Sequence, residues 1–178
     1  MDPATLIFQS ADPSRFSVDR RIYTDNGIFE NELSKIFERT WVYLCHESQI
    51  ENHGDYYSSY IGKQPVFAIR QIDGGIGAFI NACSHRGAVL TPRRRGRSRT
   101  LVCRFHGWCF NTNGDCVRIK DEAEGWPQGA DKAALGLTPV ARVASYRGFI
   151  FGSLNGDVGE FSAHTEYAWY ANVTAHCS

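Results

Sequence analysis

From Trp41 onward the chain reads as short apolar runs broken by turn residues. WVYLCHESQI (41–50), DYYSSYIG (55–62), PVFAIRQI (65–72) and IGAFINAC (76–83) are rich in β-branched and aromatic residues. Asn52 to Gly54 and Asp73-Gly74-Gly75 separate them as turn signals. Short runs at this spacing predict an antiparallel sandwich or barrel. Gly107 to Phe110 and Cys116 to Ile119 flank NTNGD, a further hairpin signal. VARVASY (140–146) and RGFIFGSL (147–154) predict two closing strands, and 120–138 predicts a loop with room for a turn of helix. Trp41, Phe79, Phe149 and Phe151 are core candidates.

Before Trp41 the period changes. Phe29, Leu33, Ile36 and Phe37 recur at i, i+4, i+7 and i+8, which is one face of a helix. The pattern predicts a helix from about 26 to 38. Thr24 or Asp25 is available to cap it, and Glu30 and Glu32 suit its first turns. Residues 1–19 are polar, carry Pro3 and Pro13, and read as an arm. Residues 157–178 show no clean periodicity and form a tail of unknown role. The expected organisation is an arm and helix over 1–39, a mainly β domain over 40–156 and that tail.

Composition narrows the class. The 178 residues are 43% apolar and 21% charged, which argues against disorder. No apolar run approaches the ~18 residues of a membrane span. The start, MDPATLIFQSADPSRF, has neither a basic region nor a long apolar stretch, so the cytoplasm is the expected compartment. A net charge of zero excludes a generally basic nucleic-acid binder. Neutrality hides an imbalance, since seven Arg and no Asp or Glu fall between Arg86 and Arg104.

Six cysteines stand at 45, 83, 103, 109, 116 and 177. In a reducing compartment, grouped Cys and His point to metal or redox chemistry rather than disulfides. The strongest group is Cys83-Ser84-His85 followed by Cys103-Arg104-Phe105-His106. Each half sits just after an expected strand, and a glycine follows each histidine, Gly87 two residues after His85 and Gly107 directly after His106. Two thiolates and two imidazoles on paired loops suit a [2Fe–2S] centre with Cys on one iron and His on the other. A Cys₂His₂ zinc site is the competing reading, although zinc fingers usually group Cys with Cys and His with His. A cysteine nucleophile with its base would explain only half of the paired motif.

NACSHRGAVL with CRFHGWCFNTNGD resembles the Rieske motif of aromatic ring-hydroxylating dioxygenase large subunits. IFERTWVYLCHESQI upstream and SYRGFIFGSLN downstream are similar to the same group, over about 20 to 156. With the RIKDE stretch they resemble the benzoate, anthranilate and toluate branch most. The resemblance implies a Rieske fold, an antiparallel β-sandwich with a small cluster-binding subdomain, preceded here by the short helix. It implies that Cys83 and Cys103 hold one iron and His85 and His106 the other. It also implies an NADH-dependent reductase or ferredoxin as electron donor, and further oxygenase subunits as partners. The expected role is to relay electrons to a mononuclear Fe(II) that dihydroxylates an aromatic carboxylate.

That iron belongs to a catalytic domain held by two His and a carboxylate, and the usual spacing of its histidines is not found among His46, His53, His164 and His176. The chain alone is therefore expected to exchange electrons and to hydroxylate nothing. A stand-alone Rieske ferredoxin is the alternative. In respiratory Rieske proteins a disulfide joins the two loops, and the corresponding positions here are Ala88 and Phe105. Arg86, Arg93, Arg94, Arg95, Arg97, Arg99 and Arg104 are expected to form either a docking surface for an acidic donor protein or a merely solvated loop. Trp108 is expected to be buried beside the cluster, His46 to be structural, and Cys45, Cys109 and Cys116 to be buried thiols.

Overall fold

The computed structural model describes residues 3–9 and 16–162. In chain order its strands are β1 (Ile7–Gln9), β2 (Phe16–Val18), β3 (Val42–His46), β4 (Asp55–Ile61), β5 (Gln64–Arg70) and β6 (Ile76–Ile80). There follow β7 (Arg95–Arg97), β8 (Leu101–Val102), β9 (Cys109–Phe110), β10 (Cys116–Arg118), β11 (Arg142–Tyr146) and β12 (Phe149–Ser153). Helix α1 spans Asn26–Glu32 and α2 spans Glu122–Gly125. All strand pairs are antiparallel.

The sheet β6-β5-β4-β7 occupies the middle of the molecule. Val66, Phe67, Ala68 and Ile69 of β5 are all fully buried, so both faces of this sheet are covered. One face, with Tyr56, Phe67, Ile69 and Phe79, packs on Leu101, Trp108, Phe110 and Cys116 of the β10-β9-β8 sheet region. The other, with Tyr57, Val66, Ala68 and Ala78, packs on Leu44, Cys45 and Ile150 of the β11-β12-β3 sheet. This explains why PVFAIRQI reads as a continuous apolar run, since an alternating pattern requires one wet face. The two Cys-His loops belong to the first of these cores.

The N-terminal reading needs two corrections. The arm includes a two-stranded hairpin, β1 with β2, and buries Leu6. The helix begins where expected, with Asp25 rather than Thr24 capping it through Ile28 N–H at 3.0 Å. Its buried residues are Ile28 and Leu33, while Phe29, Ile36 and Phe37 are exposed. For Ile36 and Phe37 the cause is a wider π turn over Leu33–Phe37, closed by Glu38 N–H to Leu33 O at 2.9 Å. It turns Ile36 and Phe37 off the face that an α-helical period would give them. Elsewhere Phe79 is buried, Trp41 and Phe151 are half-buried, and Phe149 is exposed against expectation. The first tail residues lie against the molecule, where the Phe161 ring packs tilted on Phe151 at 4.6 Å and Gly159 O accepts from Trp41 Nε1 at 3.0 Å. The rest of the tail, with His164, His176 and Cys177, lies outside the described residues.

The arginine run also contains structure that composition hides. Arg95–Arg97 is the edge strand β7, paired with β4. Arg97 Nε donates to Asp55 Oδ1 at 2.5 Å, and this guanidinium chiefly holds the Asp55 carboxyl at about 2. A depressed folded pKa stabilises above the unfolded value of ~3.9, and the benefit disappears as pH falls towards 2. Arg97 is more than half exposed, so the contribution is at most about 1 kcal/mol. In acid titrations followed by circular dichroism, Asp55→Asn is expected to lose this part of the slope between about pH 4 and 2. Parallel curves for the two proteins would contradict the pairing.

Candidate metal centre

The two Cys-His loops share one backbone plan. In the first, after β6, Cys83 N–H donates to Ala88 O and Gly87 N–H to Cys83 O, both at 2.8 Å. In the second, between β8 and β9, Cys103 N–H donates to Trp108 O at 2.8 Å and Gly107 N–H to Cys103 O at 2.9 Å. Both loops close on a glycine in the left-handed region, with φ of 72° at Gly87 and 69° at Gly107. A side chain at either position would strain that turn. The histidine stands two residues after the cysteine in the first loop and three in the second. Turns of the same shape thereby bring unlike sequence spacings to one site.

The four side chains meet as two pairs. Cys83 and Cys103 are 3% and 2% exposed within one core, and the Cys103 thiol is a close enough neighbour to raise the pKa of Cys83. The His85 and His106 rings lie 4.7 Å apart at 66°, with His85 exposed and His106 half-buried. Among the described residues no three His, Cys, Asp or Glu side chains gather around one point. A thiol pair inside an imidazole pair is the donor set of a two-iron group.

Electrostatics act on one member of each pair. Burial pushes the Cys83 thiol up to about 11, while the backbone N–H groups of His85 and Arg86 pull it back down. Those donors favour the thiolate, the form that binds metal. Crowding against its neighbours holds the His85 imidazole below its ordinary value, helped by His106 and Arg86. A neutral imidazole is likewise the form that binds metal.

Residues that the sequence reading passed over hold the loops in place. Asn81 is buried, and its Oδ1 accepts from Leu90 N–H at 3.1 Å and Thr91 N–H at 3.0 Å. Its Nδ2 donates to Thr91 O at 3.0 Å, so one side chain staples the two ends of the first loop. Ser84 Oγ donates to Leu135 O at 2.7 Å, tying that loop to the 120–138 segment. Trp126 and Leu135 of this segment pack on the same core. A buried Asn shows no periodicity, and the only hint was its place next to the Cys-His motif.

Other expected roles fall into place. His46 Nδ1 pairs with Ser48 Oγ at 2.9 Å and its ring packs edge-on to Phe149. Cys45, Cys109 and Cys116 are buried, and burial pushes the Cys45 thiol up to about 12. Trp108 is buried and stacks on His85. Arg97 is neutralised by Asp55, whereas Arg86 lies over Phe105 at 5.9 Å and Arg94 over Tyr57 at 5.4 Å.

Comparison with known proteins adds three findings. The family model of the Rieske [2Fe–2S] domain matches residues 40–147. The chain is 44% identical over 156 residues to the toluate 1,2-dioxygenase subunit alpha of Pseudomonas putida, covering 86% of this chain and 34% of that protein. It is 41% identical over 140 residues to the anthranilate 1,2-dioxygenase large subunit of Acinetobacter baylyi, covering 79% of this chain and 29% of that protein. A solved naphthalene 1,2-dioxygenase with indole in its active site superposes with a TM-score of 0.80 at 37% identity, covering 86% of this chain and 35% of that one. The chain thus spans about a third of the length of the proteins it matches. No helix among the described residues is long and apolar enough to cross a membrane.

Proposed function

The chain belongs to the Rieske [2Fe–2S] domain family, and on that premise we propose that Cys83 and Cys103 bind one iron and His85 and His106 the other. The chain is then the electron-relaying portion of an aromatic ring-hydroxylating dioxygenase large subunit. It receives electrons from an NADH-dependent reductase or ferredoxin. It delivers them to a mononuclear iron elsewhere in the oxygenase, whose substrate is an aromatic carboxylate such as those in the names of the toluate and anthranilate relatives. The observation that carries this reading is the pairing itself, with buried thiols against each other and imidazoles at the outer side. The match to dioxygenase large subunits favours it over a stand-alone ferredoxin.

A bound cluster supplies one-electron transfer, and the chain's residues do the rest. The backbone N–H groups of His85 and Arg86 favour the charged form of the Cys83 sulfur, against the larger effect of its burial. The half-buried and exposed imidazoles form the contact side. Of the remaining described histidines, His46 pairs with Ser48 and His53 Nε2 lies 3.4 Å from Thr112 Oγ1.

Rieske potentials span roughly −150 to +300 mV, and donors to the cluster sulfurs raise them. Ala88 and Phe105 offer no inter-loop disulfide, and Trp108 has no hydroxyl to offer a sulfur. A redox titration is expected to give a midpoint near the low end of that range. A value well above zero would refute the expectation.

The donor's docking surface is the exposed arginine field around the loops. Among the described residues Arg93, Arg95, Arg99 and Arg104 have no acidic partner. Arg86 adds to them, and Arg97 drops out through Asp55. Charges of this kind speed encounter with an acidic protein and are screened over ~8–10 Å at physiological salt. Stopped-flow reduction by the donor is expected to slow about tenfold for an Arg93→Ser, Arg95→Ser, Arg99→Ser triple variant at low salt. Rates indifferent to both ionic strength and the substitutions would remove docking from these residues.

A further inference from the structure

We propose that Trp108 is a positioning residue for His85, so that the second loop sets the orientation of the imidazole carried by the first. This rests on the ligand assignment above. The indole and imidazole planes lie 8° from parallel with centroids 4.7 Å apart. Among the described residues no hydrogen bond reaches the His85 ring, and its ring contacts are Trp108 and His106. A metal-bound imidazole is usually oriented by a hydrogen bond to its other nitrogen. Here an aromatic face takes that part.

The support is rigid. Trp108 is 3% exposed, its carbonyl accepts from Cys103 N–H at 2.8 Å, and Trp126 braces it edge-on at 5.7 Å and 65°. Its backbone is therefore locked to the cysteine of the second loop, while its face holds the histidine of the first. The partner histidine is treated differently. His106 leans on Phe105 at 4.2 Å and 38°, and Phe105 is 63% exposed. One imidazole is thus fixed from the core and the other rests on a surface ring. Aromatic pairs of stacked geometry gain energy beyond area burial, enough to select one ring orientation.

If Trp108 only filled space, any side chain of similar bulk would serve. Trp108→Phe keeps a flat face and Trp108→Met keeps bulk without one. The reduced 178-residue protein and both variants are compared by pulsed EPR of the nitrogens coupled to the cluster, with iron and sulfide content measured alongside. Trp108→Phe is expected to retain both nitrogen couplings of the parent. Trp108→Met is expected to shift and broaden one coupling and leave the other unchanged, at unchanged iron and sulfide. Identical spectra for Trp108→Met and parent would overturn the positioning role. Equal disturbance in Phe and Met variants would reduce Trp108 to packing. Should Trp108→Met hold no cluster, Trp126→Leu removes only the brace and is expected to broaden the same coupling to a smaller extent; an unaltered Trp126→Leu spectrum would also overturn the proposal. A parent with iron and sulfide but no nitrogen coupling would instead bring down the ligand assignment itself.

Discussion

Cys103→Ser is expected to leave the chain folded and without its cluster. The thiol is 2% exposed and sits inside the core formed by Phe67, Trp108 and Phe110. Serine nearly matches its volume, so packing changes little. The chemistry changes completely, because a hydroxyl does not ionise in the range where a cluster-binding thiolate forms. Altering a residue that merely orients a ligand costs about 10–100-fold in metal affinity, so loss of a ligand is expected to exceed that. Iron, sulfide, visible absorption and the EPR signal should all disappear. Cys109→Ser is the matched control. Its sulfur is also buried and donates to Gly107 O at 3.4 Å, a bond that a hydroxyl can keep. That variant is expected to retain the cluster in full. Cluster retained in Cys103→Ser, or lost in Cys109→Ser, would contradict the assignment.

The largest stability effect is expected from Phe67→Ala. Phe67 is fully buried in β5, the strand whose two faces both lie in cores, and its ring meets Phe79 at 5.7 Å. Removing a buried Phe side chain costs about 3–5 kcal/mol, through lost transfer energy and the cavity left behind. Domains hold only about 5–15 kcal/mol in total, so the variant should be marginal. Phe105→Ala, by contrast, removes a ring that is mostly in water and is expected within about 0.5 kcal/mol of the parent. Urea unfolding of the three proteins checks both values. A loss under about 1 kcal/mol for Phe67→Ala would contradict the picture of a middle sheet covered on both faces.

The β scaffold was legible because its strands are short apolar runs punctuated by Asn, Asp and Gly. Each of the four runs from 41 to 83 matches one of the strands β3 to β6 to within a residue at its start. β7 was not legible, since RGR carries no apolar signal and pairs only because it lies along the edge of β4. The helix was legible in extent and not in face, because a π turn shifts the period at Leu33. Phe149 was misjudged because a closing strand such as β12 has one side in water.

The metal centre was legible to the same depth and no further. Unlike spacings of Cys and His on two loops pointed to paired ligands before any coordinates. The equality of the two turns, the staple by Asn81 and the stack of Trp108 on His85 are relations between segments distant in sequence. They depend on how the loops after β6 and β8, strands of different sheets, come together, which no local pattern carries.

Iron and acid-labile sulfide analysis of anaerobically purified protein, with EPR after reduction, tests the central claim most directly. The account predicts about two iron and two sulfide per chain, and a signal coupled to two imidazole nitrogens. Stoichiometric zinc with no sulfide would contradict it.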